Sequence, residues 1–497
     1  MKEMKMIRNL VTPVVTHGAL LIFSIITSRT ILIGYGSETN GLISSVNQIF
    51  NYLALMEAGI GTATTQALYT AIAKGKEQTK DVLGASQSYF RNSALLYFLA
   101  VIATSFIWPA LVKSTIPYWT IFGLIFFQGL SNVISFSYAS TISCYLSVMG
   151  SHYINNNVHF CTYLLSYVLK LLICGANLNI TYISLAMVLV NIGKCIFLRM
   201  YLRYAFPEIM IPRRADTALL MQRNSFLVHE ISGVIFYSTD TIIISLFCGL
   251  NEASIYAVYS LVLSALRNII GQAFSGTKYI LGSRFGENKS SYERYHDTYN
   301  SVYMLVSFVV YTVALLLLIP FVTLYTKGVE DKGYINPILP ILFVLVELLS
   351  SCRVVDAEVI RFSYHAKNTV VRSIIEAAIN LLVSLVCVQF LGIYGVLIGT
   401  IVALSYRAND VILYTNHRIL KRSAIKEYRS CLINFAVLFV FVWCTRWIQL
   451  DVHSFPELIG CALCVFLIVL TVYTVVNLLV CRELQLLLSK LYSKIGR

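Results

Sequence analysis

A chain of 497 residues that is 57% hydrophobic and only 12% charged, with a mean hydropathy of +0.73, cannot hide its apolar surface in a water-soluble fold and belongs in lipid. Its formal net charge is +14, but the Lys and Arg residues fall in short clusters between apolar runs, the habit of cytoplasmic loops, which argues against nucleic acid as a partner. The twelve Cys, mostly inside apolar stretches as at Cys174, Cys195, Cys248 and Cys387, have no spacing that builds a disulfide frame and read as buried thiols.

A span needs about 20 apolar residues, and that rule predicts helices near 10–33, 42–72, 93–112, 118–148, 158–176 and 180–201. A second series follows near 225–248, 254–280, 301–325, 336–359, 369–391 and 393–415, then 431–449 and 457–481. The expected fold is an all-α polytopic membrane protein of about 14 transmembrane helices. The basic start from Met1 to Arg8 leads into an apolar run that continues past Arg29 without a small-residue cleavage site, so the first run reads as a retained span.

Alternate loops carry the basic residues: Lys74, Lys76, Lys80 and Arg91; Arg203, Arg213, Arg214 and Arg223; Arg284, Lys289 and Arg294; Arg418, Lys421, Arg422, Lys426 and Arg429. The positive-inside rule then predicts both termini on the cytoplasmic side. The leading twelve runs read as two copies of a six-span unit displaced by 211 residues (241 − 30), with Thr30 matching Thr241, Asn40 matching Asn251, Gly75 matching Gly286 and Pro109 matching Pro320. Copies with an even number of spans share one orientation. The expected plan is two six-helix lobes, 1–210 and 211–425, around a central cleft, with 426–497 adding two helices and a basic tail.

Charges within the spans carry the functional argument, because an ionised side chain at membrane depth costs about 2.5 to 3.5 kcal/mol and marks a protein-lined path. Arg353 with Asp356, Glu358 with Arg361, Arg372 with Glu376 and Arg407 with Asp410 are three or four residues apart, where one helix face can pair them. Arg29, Lys170, Lys194 and Arg267 have no such neighbour, nor do Glu57, Glu230, Asp240 and Glu347. The four cations are the candidates for binding cargo. Glu57, Asp240 and Glu347 are the candidates for coupling or gating, together with Gly59 and Gly61, which permit a bend or close helix contact after Glu57. Arg29 and Lys170 lie near span ends and can also reach the interface.

Enzyme chemistry finds little support. Gly271–Lys278 falls short of a phosphate-binding loop because Thr precedes Lys in an apolar helix. Cys461 and Cys464 have redox spacing inside the last span, and His229-Glu230 lacks the second His of a zinc protease. No cofactor is expected.

The stretch Thr27-Ser-Arg29 through Gly41, then Leu53 through Gly61, then Ile72-Ala-Lys-Gly75, together with Ser238-Thr-Asp240-Thr, resembles the Wzx-type polysaccharide repeat-unit flippases. These belong to the MATE-like superfamily that also contains drug/cation antiporters and peptidoglycan lipid flippases. The resemblance implies a bacterial inner-membrane exporter that moves an undecaprenyl-diphosphate-linked oligosaccharide to the outer leaflet by alternating access, with Arg29 at the family's motif arginine and proton or Na⁺ coupling open. Charge-assisted bonds from Arg and Lys suit a diphosphate leaving water. Two other readings stay open: a cation-coupled multidrug antiporter, in which Glu57, Asp240 and Glu347 lead, and a membrane-embedded glycan polymerase or glycosyltransferase.

Overall fold

The structure is a computed structural model that describes residues 2–57, 60–209, 211, 238–283, 285, 289–329, 333–363, 365–445, 451–480 and 485. Among them there is helix and no strand, as lipid requires of a chain that must satisfy its own backbone hydrogen bonds. Twelve helices of the described residues are long and apolar enough to cross a membrane.

The chain divides into two compact units, Met1–Ser254 and Ile255–Arg497. The first holds α1 (Lys2–Leu53), α2 (Ile60–Lys74), α3 (Lys76–Leu111), α4 (Tyr118–Tyr138), α5 (Ser140–Val148), α6 (His152–Gly175) and α7 (Thr181–Ala205), then the shorter apolar helix α8 (Ser238–Phe247). Gly36, at φ 82° and ψ 172°, divides α1 into two segments, a backbone setting that only glycine enters without strain. That break accounts for the separate runs predicted at 10–33 and 42–72. The helix α8 is the described part of the run at 225–248.

The helix α8 lies along the second segment of α1. Ser45 meets Ser245, Tyr52 meets Thr239, and Asn40 Nδ2 donates to Ser254 Oγ at 2.7 Å. Gly41 lets this happen: a Cβ there would collide with the Leu250 carbonyl.

From Leu250 the chain enters α9 (Leu250–Ser283), whose first turn closes the first unit. The second unit continues with α10 (Lys289–Tyr325), α11 (Ile338–Cys352), α12 (Val354–Phe362), α13 (Val370–Leu391), α14 (Ile393–Tyr414), α15 (Ile425–Thr445) and α16 (Phe455–Val480). Each unit thus contains a long helix with a proline near its end (Pro109 in α3, Pro320 in α10), a broken pair (α4–α5, α11–α12) and two further long helices. In the first unit α3 packs on α4, α4 on α7 and α1 on α6; in the second α13 packs on α14 and α10 on α16. Cys174 and Cys195 are buried free thiols, whereas Cys461 is half-buried and Cys464 exposed on α16.

Candidate functional site in the first unit

Two helix breaks meet at Glu57. The α1 helix ends in a 3-10 turn at Ala54–Met56, and α5 begins at Ser140 after a break at Ala139. The half-buried Glu57 carboxylate lies within electrostatic reach of Ser140 and Lys194. Lys194 projects from α7 and donates through Nζ to Ser135 Oγ on α4 at 3.0 Å. Lys194 also lines a cavity between these helices.

That cavity, about 740 Å³, is lined by Thr62 and Gln66 from α2, Ser143 from α5, Asn155 and Asn156 from α6, and Lys194. Asn155 Nδ2 is used on Ser143 O at 2.8 Å and Ser147 Oγ at 3.0 Å, which leaves its Oδ1 buried without a donor. Nδ2 of Asn156 is buried without an acceptor. The hydroxyl and amide side chains in this lining suit a hydroxyl-rich occupant. Gly61 lines the cavity where α2 meets α5: Cys144 Sγ lies 3.7 Å from its carbonyl oxygen.

On its other side Lys194 borders a groove of about 590 Å³ between α6 and α7, lined by Leu165, Leu169, Leu189, Val190 and Phe197. Lys194 and Val158 thus border both spaces: a chamber lined by hydroxyl, amide and apolar side chains, and an apolar trough.

The remaining predicted residues are dispersed. Arg29 is half-buried in the first segment of α1, and Asp240 is buried in α8. Lys170 is half-buried on α6 with its ammonium 5.7 Å from the Tyr167 ring centre, a cation–π contact. Gly59 and Glu230 lie outside the described residues. Arg267 and Glu347, which have no partner one turn away on their own helices, meet each other across helices. Arg267 Nε donates to Glu347 Oε2 at 2.9 Å and its Nη2 to Oε1, while Tyr311 Oη donates to Oε2 at 3.1 Å. The two pair with each other from positions 80 residues apart in sequence, and the Arg267 side chain is 41% exposed.

Several other charges of the second unit pair across or within helices. Arg353 reaches Glu376 at 2.5 Å, Arg407 reaches Glu376 at 3.3 Å and Asp410 at 2.6 Å, and Arg372 pairs with Asp410. Glu358 and Arg361 pair as expected at 3.2 Å. Sequence reasoning missed the polar lining of the cavity, although Asn155-Asn156-Asn157 beside an apolar run was a visible signal.

Solved transporter structures share this architecture. An inward-facing multidrug-resistance MATE family transporter of the MOP superfamily aligns over 81% of this chain and 95% of its own, with a TM-score of 0.68 and 15% identity. The lipid II flippase MurJ, in an inward closed conformation, aligns over 94% and 98% with a TM-score of 0.69 and 11% identity. The chain has the fold of MATE and MurJ transporters. A MOP superfamily transporter from Pyrococcus furiosus, described as having a binding pocket of reversed polarity, aligns over 85% and 97% with a TM-score of 0.60 and 13% identity. No protein-family model and no curated protein matches the sequence.

Proposed function

We propose that the protein exports a lipid-linked anionic glycan, with an undecaprenyl-diphosphate-linked oligosaccharide as the cargo class. The observation that carries this reading is Lys194, which borders both a chamber with hydroxyl and amide side chains in its lining and an apolar trough. A phosphate on the ammonium, sugars in the chamber and isoprenoid in the trough would satisfy each surface with its own chemistry. Arg29 and Lys170, on the packed helices α1 and α6, serve as further cations along the route. Export proceeds by alternating access of the lobes 1–210 and 211–425, with 426–497 as the added pair of helices, in a bacterial inner membrane with both termini cytoplasmic.

A second reading, the cation-coupled antiporter, draws on Glu57 beside Lys194 and on the MATE likeness. In it Glu57 exchanges a proton or Na⁺ for an organic cation, and Lys194 responds to the carboxylate's charge.

Proteoliposomes carrying undecaprenyl-diphosphate oligosaccharide or an organic-cation dye separate the two. Glycolipid flipping without dye exchange supports the proposal; dye exchange driven by a proton or Na⁺ gradient, without glycolipid movement, replaces it with the antiporter.

A further inference from the structure

Charges do not balance where α12, α13 and α14 meet. Arg353 holds Glu376 at 2.5 Å, Arg407 holds Glu376 at 3.3 Å and Asp410 at 2.6 Å, Arg361 holds Glu358 at 3.2 Å, and Arg372 pairs with Asp410. The other acid of α12, Asp356, turns to His296, whose Nε2 lies 3.2 Å from Asp356 Oδ1 and whose Nδ1 lies 3.9 Å from Glu427. Among the described residues, four guanidiniums thus share the carboxylates of Glu358, Glu376 and Asp410, and the group keeps one uncompensated positive charge.

That surplus falls to Arg372. The Arg407 side chain is 9% exposed and uses all three nitrogens, on Glu376, Asp410 and Ser373, so it already takes a share of Asp410. Arg372 gives Asp410 only Nη1 and its side chain is 39% exposed, which leaves the Nε and Nη2 edge without an acceptor among the described residues. The guanidinium is held in place from behind. Its Cζ lies 4.8 Å from the Tyr414 ring centre, a cation–π contact, and the buried Tyr414 hydrogen-bonds through its hydroxyl to His365 Nδ1 at 3.0 Å.

The surroundings indicate the occupant. Arg372 stands in the first turn of the apolar helix Val370–Leu391, long enough to cross a membrane, and that turn has no acidic residue. Asp410 is four residues (414 − 410) from the end of α14, next to the basic stretch from Arg418 to Arg429 that the sequence assigns to the cytoplasmic side. Ile375, Leu382, Val386 and Phe390 follow Arg372 at the spacing of one helix face, and all four are exposed. A cation with an open donor edge at the head of an exposed apolar face suits a phosphate that carries acyl chains; a free phosphate would leave that face unused.

We propose that Arg372 binds the phosphate of an anionic phospholipid in the cytoplasmic leaflet, with the acyl chains along the exposed face of α13. The Nε and Nη2 edge donates two charge-assisted hydrogen bonds to the phosphate oxygens, and the lipid's charge completes the neutralisation of the arginine group. This site is independent of the cargo reading above.

The test is native mass spectrometry of the purified full chain with phosphatidylglycerol or phosphatidylcholine, beside thermal unfolding in the same lipids. The wild type is expected to bind phosphatidylglycerol more tightly than phosphatidylcholine. Arg372→Gln should weaken phosphatidylglycerol by about fivefold and leave phosphatidylcholine unchanged, whereas Arg372→Lys should keep part of the preference because an ammonium still serves as a point charge. Arg203→Gln, which removes an exposed charge in the last turn of α7, should leave the preference intact. An equal loss in Arg203→Gln, or none in Arg372→Gln, would overturn the site. So would a rise in Tm with inorganic phosphate as large as with phosphatidylglycerol, which would assign a free anion. Should Arg372→Gln fail to fold, the wild type decides: phosphatidylglycerol with a photoreactive headgroup is expected to label the segment 365–376, and labelling confined to other segments refutes the site.

Discussion

Lys194 on α7 and Arg407 on α14 stand 213 residues apart (407 − 194), close to the spacing of 211 expected from the sequence, yet they face opposite surroundings. Lys194 borders open volume and has a serine and one carboxylate nearby. Arg407 is 8% exposed and held by Glu376, Asp410 and Ser373. A cation fully matched by carboxylates and hydroxyls has nothing left for a ligand, whereas a cation that borders open volume does. The same contrast separates Arg267, bound by Glu347, from Lys194. The lesson is that depth in the membrane nominates a charge, and the partners on neighbouring helices decide what it does.

The largest effect that could break this comparison comes from the paired side. Arg267→Ala leaves Glu347, whose side chain is 4% exposed, without its cation, and should cost about 3 kcal/mol of stability, seen as a lower Tm and poorer yield in detergent. The double variant Arg267→Met, Glu347→Leu should recover most of it. If Arg267→Ala instead folds normally and loses only transport, Arg267 belongs with the cargo after all.

Next comes Gly41→Ala, where the added methyl meets the Leu250 carbonyl and should destabilise by about 1 to 3 kcal/mol. An unchanged Tm would show that the start of α9 is not seated tightly on α1. The smallest effect is expected at Glu208→Gln. The hydrogen bond from Lys76 holds the Glu208 carboxyl below its ordinary range, but both side chains are about two-thirds exposed and such pairs are screened. No measurable change in Tm should follow at physiological salt.

How much of this was legible depends on sequence distance. Helices were readable because apolar runs of about 20 residues have few other fates, and Glu358–Arg361 and Arg407–Asp410 because pairs three apart share a helix face. Arg372 was matched to Glu376 by the same rule, but Arg353 and Arg407 occupy that carboxylate and Arg372 turns to Asp410 on α14. The packing of α13 on α14 decides this, and one helix's spacing cannot show it. Arg267–Glu347 and His296–Asp356–Glu427 span 60 to 131 residues of chain, beyond any local pattern. Lys194 was found by depth and by its lack of a neighbour; the asparagines that complete its chamber were passed over because neutral amides give no charge signal.

The central claim is that Lys194 holds the anionic part of the cargo. Its most direct measurement is the initial rate of undecaprenyl-diphosphate oligosaccharide flipping by Lys194→Gln in proteoliposomes, beside its Tm. We predict a loss of at least about tenfold, or 1.4 kcal/mol, with Tm unchanged. A wild-type flipping rate in the folded variant would contradict the account.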